Sequence, residues 1–229
     1  MSISLDSFIP LGTFCYSANI LKSLGLRSHA YPLDYTFAKL SHISHMLETK
    51  FDKLLDKELL YPAITLGPNK STGHMLYGHL FRHHDLTDES QLSAMKRRVD
   101  RLLENLQMGS IYLCTLNEAH GDYVQESTDG VTLSIEQLEF CNRVIEFYQL
   151  NRIIMIYLKH GSESDVRVYN LMPRIYLVSV TSSLGVMNTR FDGLGGKVMN
   201  TQNGMHLYCS ATEKKLRESL VTLYHHLTQ

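Results

Sequence analysis

The chain predicts an α/β fold: a small parallel or mixed sheet with helices packed on it, in one domain over residues 1–229. Three features carry that prediction. Apolar strand Ile111 to Leu116, amphipathic helix Ser134 to Leu150 and strand Arg152 to Leu158 follow one another directly, and a right-handed βαβ unit is the natural topology for such a run. The last of these strands is apolar without interruption, as strands buried on both faces are. Elsewhere apolar residues recur at helical spacing between Gly- and Pro-rich turns.

Taken in order, Ser7 to Leu11 reads as a strand feeding a Gly12 turn, and Cys15 to Leu24 as a helix with Ala18, Ile20, Leu21 and Leu24 inward. Gly25 suits the position just past its end, where glycine enters the left-handed region freely. Leu26 to Pro32 should be extended, because a residue before proline avoids the helical region. Ile43, Met46, Leu47, Phe51, Leu54 and Leu55 continue one helical period from Ser41 to Leu60. Pro62 to Gly78 reads as loop with short strand pieces.

Glu89 to Gln107 is a clear helix with Leu92, Met95, Val99, Leu102, Leu103 and Leu106 inward; Lys96, Arg97, Arg98 and Arg101 form what reads as its solvated face. Ser134 and Gln137 make a capping box at the start of the next helix. Arg174 to Val180 is a third strand and Met205 to Tyr208 a fourth, and a helix from Thr212 to Leu227 closes the chain. Gly193-Leu194-Gly195-Gly196 lacks the preceding strand and following helix of a dinucleotide site and reads as loop.

Composition narrows the functional classes. Apolar residues make up 44% and charged residues 20%, and the net charge of −1 recommends neither nucleic acid nor an anionic membrane as a partner. No stretch approaches the roughly 20 apolar residues of a spanning helix, and Met1 to Asp6 lacks the basic-then-apolar pattern of a signal peptide, so a cytoplasmic protein is expected. The four cysteines, Cys15, Cys114, Cys141 and Cys209, form no C-x-x-C pair, which argues against a zinc ribbon or a disulfide framework. Cys114 and Cys141 lie on apolar faces, where packing accounts for them. No cofactor and no metal is implied. His79 and His83 stand four apart, but Gly and aromatic residues around them argue against the regular helix a metal pair would need. His42 and His45 read as surface residues.

Cys15 has a different neighbourhood. It follows a glycine turn and begins a helix-patterned run, where unpaired N–H groups and the macrodipole favour thiolate, the nucleophilic form. A buried, inert cysteine is the bland alternative. A thiol enzyme also needs an imidazole, a group to orient it and an oxyanion hole. His84 or His160 could supply the base; Asp34, Asp85 or Asn117 could orient it. The Cys15 N–H could serve the oxyanion. His160 follows an apolar strand, at the edge where open α/β sheets bind ligands. Spacing selects no single triad.

The segment Leu11-Gly12-x-x-Cys15-x-x-Ala18-x-x-Leu21-x-x-x-Gly25-Leu26-Arg27-x-x-x-Tyr31-Pro32-Leu33-Asp34-Tyr35 resembles the opening of a bacterial family of papain-like cysteine peptidases. His84-Asp85 is similar to that family's His-Asp-aromatic motif, and Lys96 to Leu103 to its basic helix. The similarity is strong at the N-terminus and weak after Gly161. The chain departs from the pattern in having Tyr35 where Trp is usual, and it contains no Trp at all. The resemblance implies a papain-like arrangement with the nucleophile at a helix N-terminus, Cys15 as that nucleophile, and roles for His84, His160, Asp34 and Asp85. It implies a peptide, amide or acyl substrate, with acyl transfer as open as hydrolysis. The competing reading is a non-catalytic α/β module, binding a glycan or nucleotide-sugar, in which Cys15 is structural.

Overall fold

The computed structural model describes residues 8–13, 16–63, 71–81, 83–117, 122–127, 130–147, 152–163, 165–182, 200–201, 204–205 and 210–228. In chain order the elements are β1 (Phe8–Pro10), α1 (Tyr16–Ser23), α2 (Leu40–Glu48), β2 (Leu60–Ala63), β3 (Ser71–His74), β4 (Gly78–Phe81), α3 (Glu89–Met108) and β5 (Ile111–Asn117). There follow β6 (Gln125–Ser127), β7 (Gly130–Thr132), α4 (Ile135–Phe147), β8 (Arg152–His160), β9 (Asp165–Met172), β10 (Ile175–Ser182), β11 (Asn200–Thr201), β12 (Gly204–Met205) and α5 (Ser210–Thr228).

The mixed α/β expectation holds. The main sheet has strand order β1-β5-β8-β10-β9, parallel from β1 to β10 with β9 antiparallel at the edge. β5 and β8 are parallel neighbours joined through α4, as the strand–helix–strand pattern predicts. Side chains alternate across β8 because successive residues of a strand face opposite ways. Ile153, Met155 and Tyr157 enter a core with α2, α3 and α4, while Ile154, Ile156 and Leu158 enter a second core with α1 and α5. Helices therefore cover both faces, which is why β8 is apolar throughout.

Several boundaries differ from the sequence reading. The period over Ser41 to Leu60 is not one helix: α2 stops at Glu48, and Lys50 and Phe51 take left-handed φ values of 48° and 63°. Phe51 and Leu54 remain fully buried, but from a turn and a 3₁₀ segment. Pro62 to Gly78 does hold short strand pieces, as expected: the end of β2 and all of β3, in a three-stranded antiparallel sheet completed by β4. β9 has no counterpart in the sequence reading; its exposure lacks the clean alternation of a half-buried strand. Tyr31 to Asp34 makes a turn after an irregular approach, without a strand. The expected fourth strand at Met205 is the two-residue β12, paired with β11 and not with the main sheet; residues 206–208 lie outside the described residues. So do Gly193 to Gly196, Cys209 and the expected end of the α4 helix.

Other details follow the sequence closely. Gly25 (φ 66°) ends α1 in a Schellman arrangement, its N–H donating to Lys22 O (3.1 Å) and that of Leu26 to Leu21 O (2.8 Å). Ser134 and Gln137 form the capping box: Ser134 N donates to Gln137 Oε1 (2.9 Å) and Gln137 N to Ser134 Oγ (3.3 Å). Cys114 and Cys141 are both fully buried. Burial pushes the Cys114 thiol well up and the Cys141 thiol up to about 12, so both are inert packing residues. Among the described residues, no helix is long and apolar enough to cross a membrane.

Candidate active site

The site is framed where β1 turns into α1. Leu11 N donates to Leu113 O (2.9 Å), extending the β1–β5 pairing one residue beyond the strand. Gly12 and Thr13 then both adopt left-handed φ values, 66° and 71°. For a β-branched residue that conformation is strained. Thr13 is held there by its hydroxyl, which donates to the carbonyl of Thr115 at the end of β5. Ser17, in the first turn of α1, shares a hydrogen bond with the Thr115 hydroxyl and donates to Gly12 O (3.2 Å). Strand, turn and helix are thus locked together on both sides of Phe14 and Cys15, which themselves lie outside the described residues.

Beside Thr13 a cavity of about 620 Å³ opens, lined also by Phe37, Ala38, Lys39, Leu40, Asp122, Tyr123, Ser134, Glu136 and Gln137. Its walls are the extended approach to α2, the segment beyond β5 and the first turn of α4. It is therefore at the carboxyl ends of parallel strands, where this architecture accommodates ligands. Gln137, almost fully buried, fixes one wall by donating from Nε2 to Tyr123 O (3.2 Å). Tyr123 and Ile135 are large apolar residues left exposed.

Two of the other candidate residues, Asp34 and His84, gather around the turn Tyr31 to Asp34. Asp34 is buried, accepts from Tyr31 N (2.9 Å) and pairs with Arg27 through the same oxygen, Oδ2. Burial raises the Asp34 carboxyl above its ordinary range, although Arg27, the Tyr31 N–H and Arg98 all pull it down. His84 approaches the same cluster from the turn before α3, with Nε2 3.4 Å from Arg98 Nη1. Burial, Arg98 and His83 together lower the His84 imidazole to about 4, so it is neutral at physiological pH.

The basic face of α3 is a correction to the sequence reading. Lys96 and Arg97 are exposed, but Arg98 and Arg101 are half-buried and turned to work. Arg101 donates to Ala30 O (2.8 Å), and Asn105, one turn further, to the Tyr31 hydroxyl (3.2 Å). Arg27 also lies over the Tyr35 ring (5.7 Å to the centroid), and that ring meets His83 edge-on. The helix thus holds the Arg27–Tyr35 segment. In the sequence, arginines on successive turns look the same on a solvated face; the resemblance of Lys96 to Leu103 to the family's basic helix is the second signal that marks this face.

Asp85 is placed differently from its neighbour. Its Oδ1 accepts from Thr87 N (3.2 Å) and the Thr87 hydroxyl, shaping the turn that leads into α3. His160 is the last residue of β8, opposite Ser182 of β10, and Asn117 the last of β5; their side chains lie outside the described residues. His79 falls in β4, so the His79–His83 spacing is not helical. Among the described residues no group of three or more His, Cys, Asp or Glu is arranged to hold a metal. His42 and His45 are half-buried, contrary to expectation: His45 Nδ1 lies 2.9 Å from the Tyr77 hydroxyl, and His42 packs on the same ring.

The fold and frame define an α/β protein with a cavity at the carboxyl edge of its sheet, beside the turn that leads to a cysteine. Residues 6–138 match the model of the family described as "Putative papain-like cysteine peptidase (DUF1796)", and the chain belongs to that family. No curated protein and no solved structure matches it. The matched stretch contains Cys15, Asp34, His84, Asp85 and Arg98, and ends in the second turn of α4; His160 is beyond it.

Proposed function

We propose that the protein is a papain-like thiol hydrolase or acyltransferase with Cys15 as nucleophile and a histidine as general base. The observation that carries this reading is the cavity at the strand ends, whose wall includes Thr13, two residues before Cys15 in the sequence. Family membership and the start of α1 at Tyr16, the next residue in sequence after Cys15, support it. The locked Gly12–Thr13 turn gives the backbone there the rigidity an oxyanion donor requires.

In this reading the Cys15 thiol passes its proton to the imidazole and attacks a carbonyl carbon. The tetrahedral oxyanion accepts hydrogen bonds from backbone N–H groups, including that of Cys15. Its collapse expels an amine or alcohol, which takes the proton back from the imidazole. The thioester is then resolved by water, giving hydrolysis, or by an amine, giving acyl transfer. Of the two candidate bases we favour His84, because it lies within the family match and in the Asp34 cluster. The substrate is a peptide, amide or other acyl compound, and the setting a bacterial cytoplasm, with neither nucleic acid nor membrane needed for the chemistry.

An activated ester tests the proposal. Incubation of the full chain with p-nitrophenyl acetate should deposit one acetyl group that neutral hydroxylamine removes, as it removes thioesters. The Cys15→Ser variant should acquire none. Absence of both a hydroxylamine-labile acetyl and any Cys15-dependent release of p-nitrophenol would favour the glycan- or nucleotide-sugar-binding module in which Cys15 is structural.

A further inference from the structure

The position of Arg98 creates a problem for His84 as a base, and the same cluster contains its solution. A guanidinium can only donate, so the His84 Nε2 that faces Arg98 Nη1 at 3.4 Å is an acceptor, and the proton of the neutral ring is on Nδ1. Nε2 is then the only nitrogen able to take a proton, and Arg98 covers it. Once protonated, the imidazolium would face a guanidinium, so Arg98 must move.

An acceptor is available nearby. Asp34 uses Oδ2 for both Arg27 and Tyr31 N, whereas its Oδ1 is buried and makes no hydrogen bond among the described residues. A buried carboxylate oxygen without a partner is costly, and it is already in the field of Arg98. Among the described residues, three other charged or titratable groups flank this cluster. His83 beside it is a further base edge-on to Tyr35; the Asp85 Oδ1 is taken by Thr87; Arg27 is a cation.

We propose that Arg98 is a positioning residue for His84: it holds Nε2 as an acceptor in the resting protein and transfers to the open Oδ1 of Asp34 when the imidazole takes a proton. The arrangement replaces the carboxylate that usually orients a catalytic imidazole with a cation that adds to burial in keeping it neutral. Asp34 then acts on the imidazole through Arg98. The inference rests on the proposed thiol chemistry only in using His84 as the base; the placement of Arg98 can be measured without Cys15.

The test is nitrogen and proton NMR of the histidine side chains in the full chain, with His84→Gln to assign the signal. In the unaltered protein His84 should be the Nδ1–H tautomer and titrate near pH 4. Arg98→Met should move that titration upward by about one pH unit or more, while Arg98→Lys, which keeps the charge, should hold it low. An Nε2–H tautomer in the unaltered protein overturns the proposal, with no variant required. So does an unchanged titration in Arg98→Met that retains native chemical-shift dispersion. A shifted His84 in a protein with an unreactive Cys15 would keep the role of Arg98 and remove the thiol reading; the reverse pattern would do the opposite.

Discussion

The hydroxyl of Thr13 donates to the carbonyl oxygen of Thr115, joining the turn after β1 to the end of β5. Ser17 adds a second tie from α1 to the same residue. These bonds cross the point where the chain leaves the sheet, and they fix the backbone on both sides of the Phe14–Cys15 dipeptide.

Two left-handed glycines allow that rigidity to be measured. Gly25 has φ 66° and open space where a Cβ would sit, so Gly25→Ala should cost about 1 kcal/mol, the left-handed penalty alone. Gly12 has the same φ, but a Cβ there would lie 3.3 Å from Leu33 Cβ and 3.4 Å from Ile43 Cδ1. Gly12→Ala should therefore cost about 2–4 kcal/mol in urea unfolding, combining backbone strain with overpacking. Equal losses in the two variants would mean that Gly12 does not pack on the Leu33 turn.

Gln137 connects the α4 cap to the cavity wall through its three hydrogen bonds with Ser134 and Tyr123. Gln137→Ala should lower stability by about 1–2 kcal/mol, as capping residues do when truncated. Gln137→Glu keeps an acceptor for Ser134 N but loses the donor to Tyr123 O. It should spare most of the helix while loosening Tyr123, which fast amide exchange beside Tyr123 would report.

Glu126 anchors the β6–β7 hairpin to the main sheet. It accepts from Ser179 Oγ (2.6 Å), Lys159 Nζ (2.9 Å) and the Tyr169 hydroxyl (3.2 Å). Burial alone would raise its carboxyl, but these three partners outweigh burial and hold it below its ordinary 4.5. A depressed folded-state value means that the contribution is complete above the unfolded value and is lost as pH falls through the folded one. Glu126→Gln should cost about 1–3 kcal/mol at neutral pH. The stability curves of variant and parent should converge below pH 4.5. Parallel curves down to the acid limit would show that the carboxylate is not selectively stabilised in the folded state.

The sheet and the long helices were legible because their signals are local. β8 announces its double-sided burial by having no polar residue from Ile153 to Leu158, and Ser134 with Gln137 marks the α4 cap. The overrun of α2 has the opposite origin. Phe51 and Leu54 preserve the helical period because they must still reach the core, yet Lys50 and Phe51 turn the chain left-handed. β9 escaped notice because an edge strand with Val168 exposed keeps no simple alternation.

Within the site, single residues could be nominated but their pairings could not. His84 and Asp85 are adjacent in sequence, yet one faces Arg98 on α3 and the other closes the Thr87 turn. Arg98 itself was hidden among the charges of Lys96 to Arg101. Only the crossing of α3 over the Tyr31–Asp34 turn separates the arginines that hold that turn from those in water.

The central claim concerns one thiol among four, and alkylation compares them directly. Native full-length protein is treated with iodoacetamide near neutral pH, and each cysteine is followed by peptide mapping. Cys15 should react first, by about tenfold or more over Cys209, as a thiol with a lowered pKa does. Cys114 and Cys141, fully buried and with raised thiol pKa values, should stay unlabelled until the protein is unfolded. A native protein in which Cys15 is alkylated no faster than the other three would contradict its role as nucleophile.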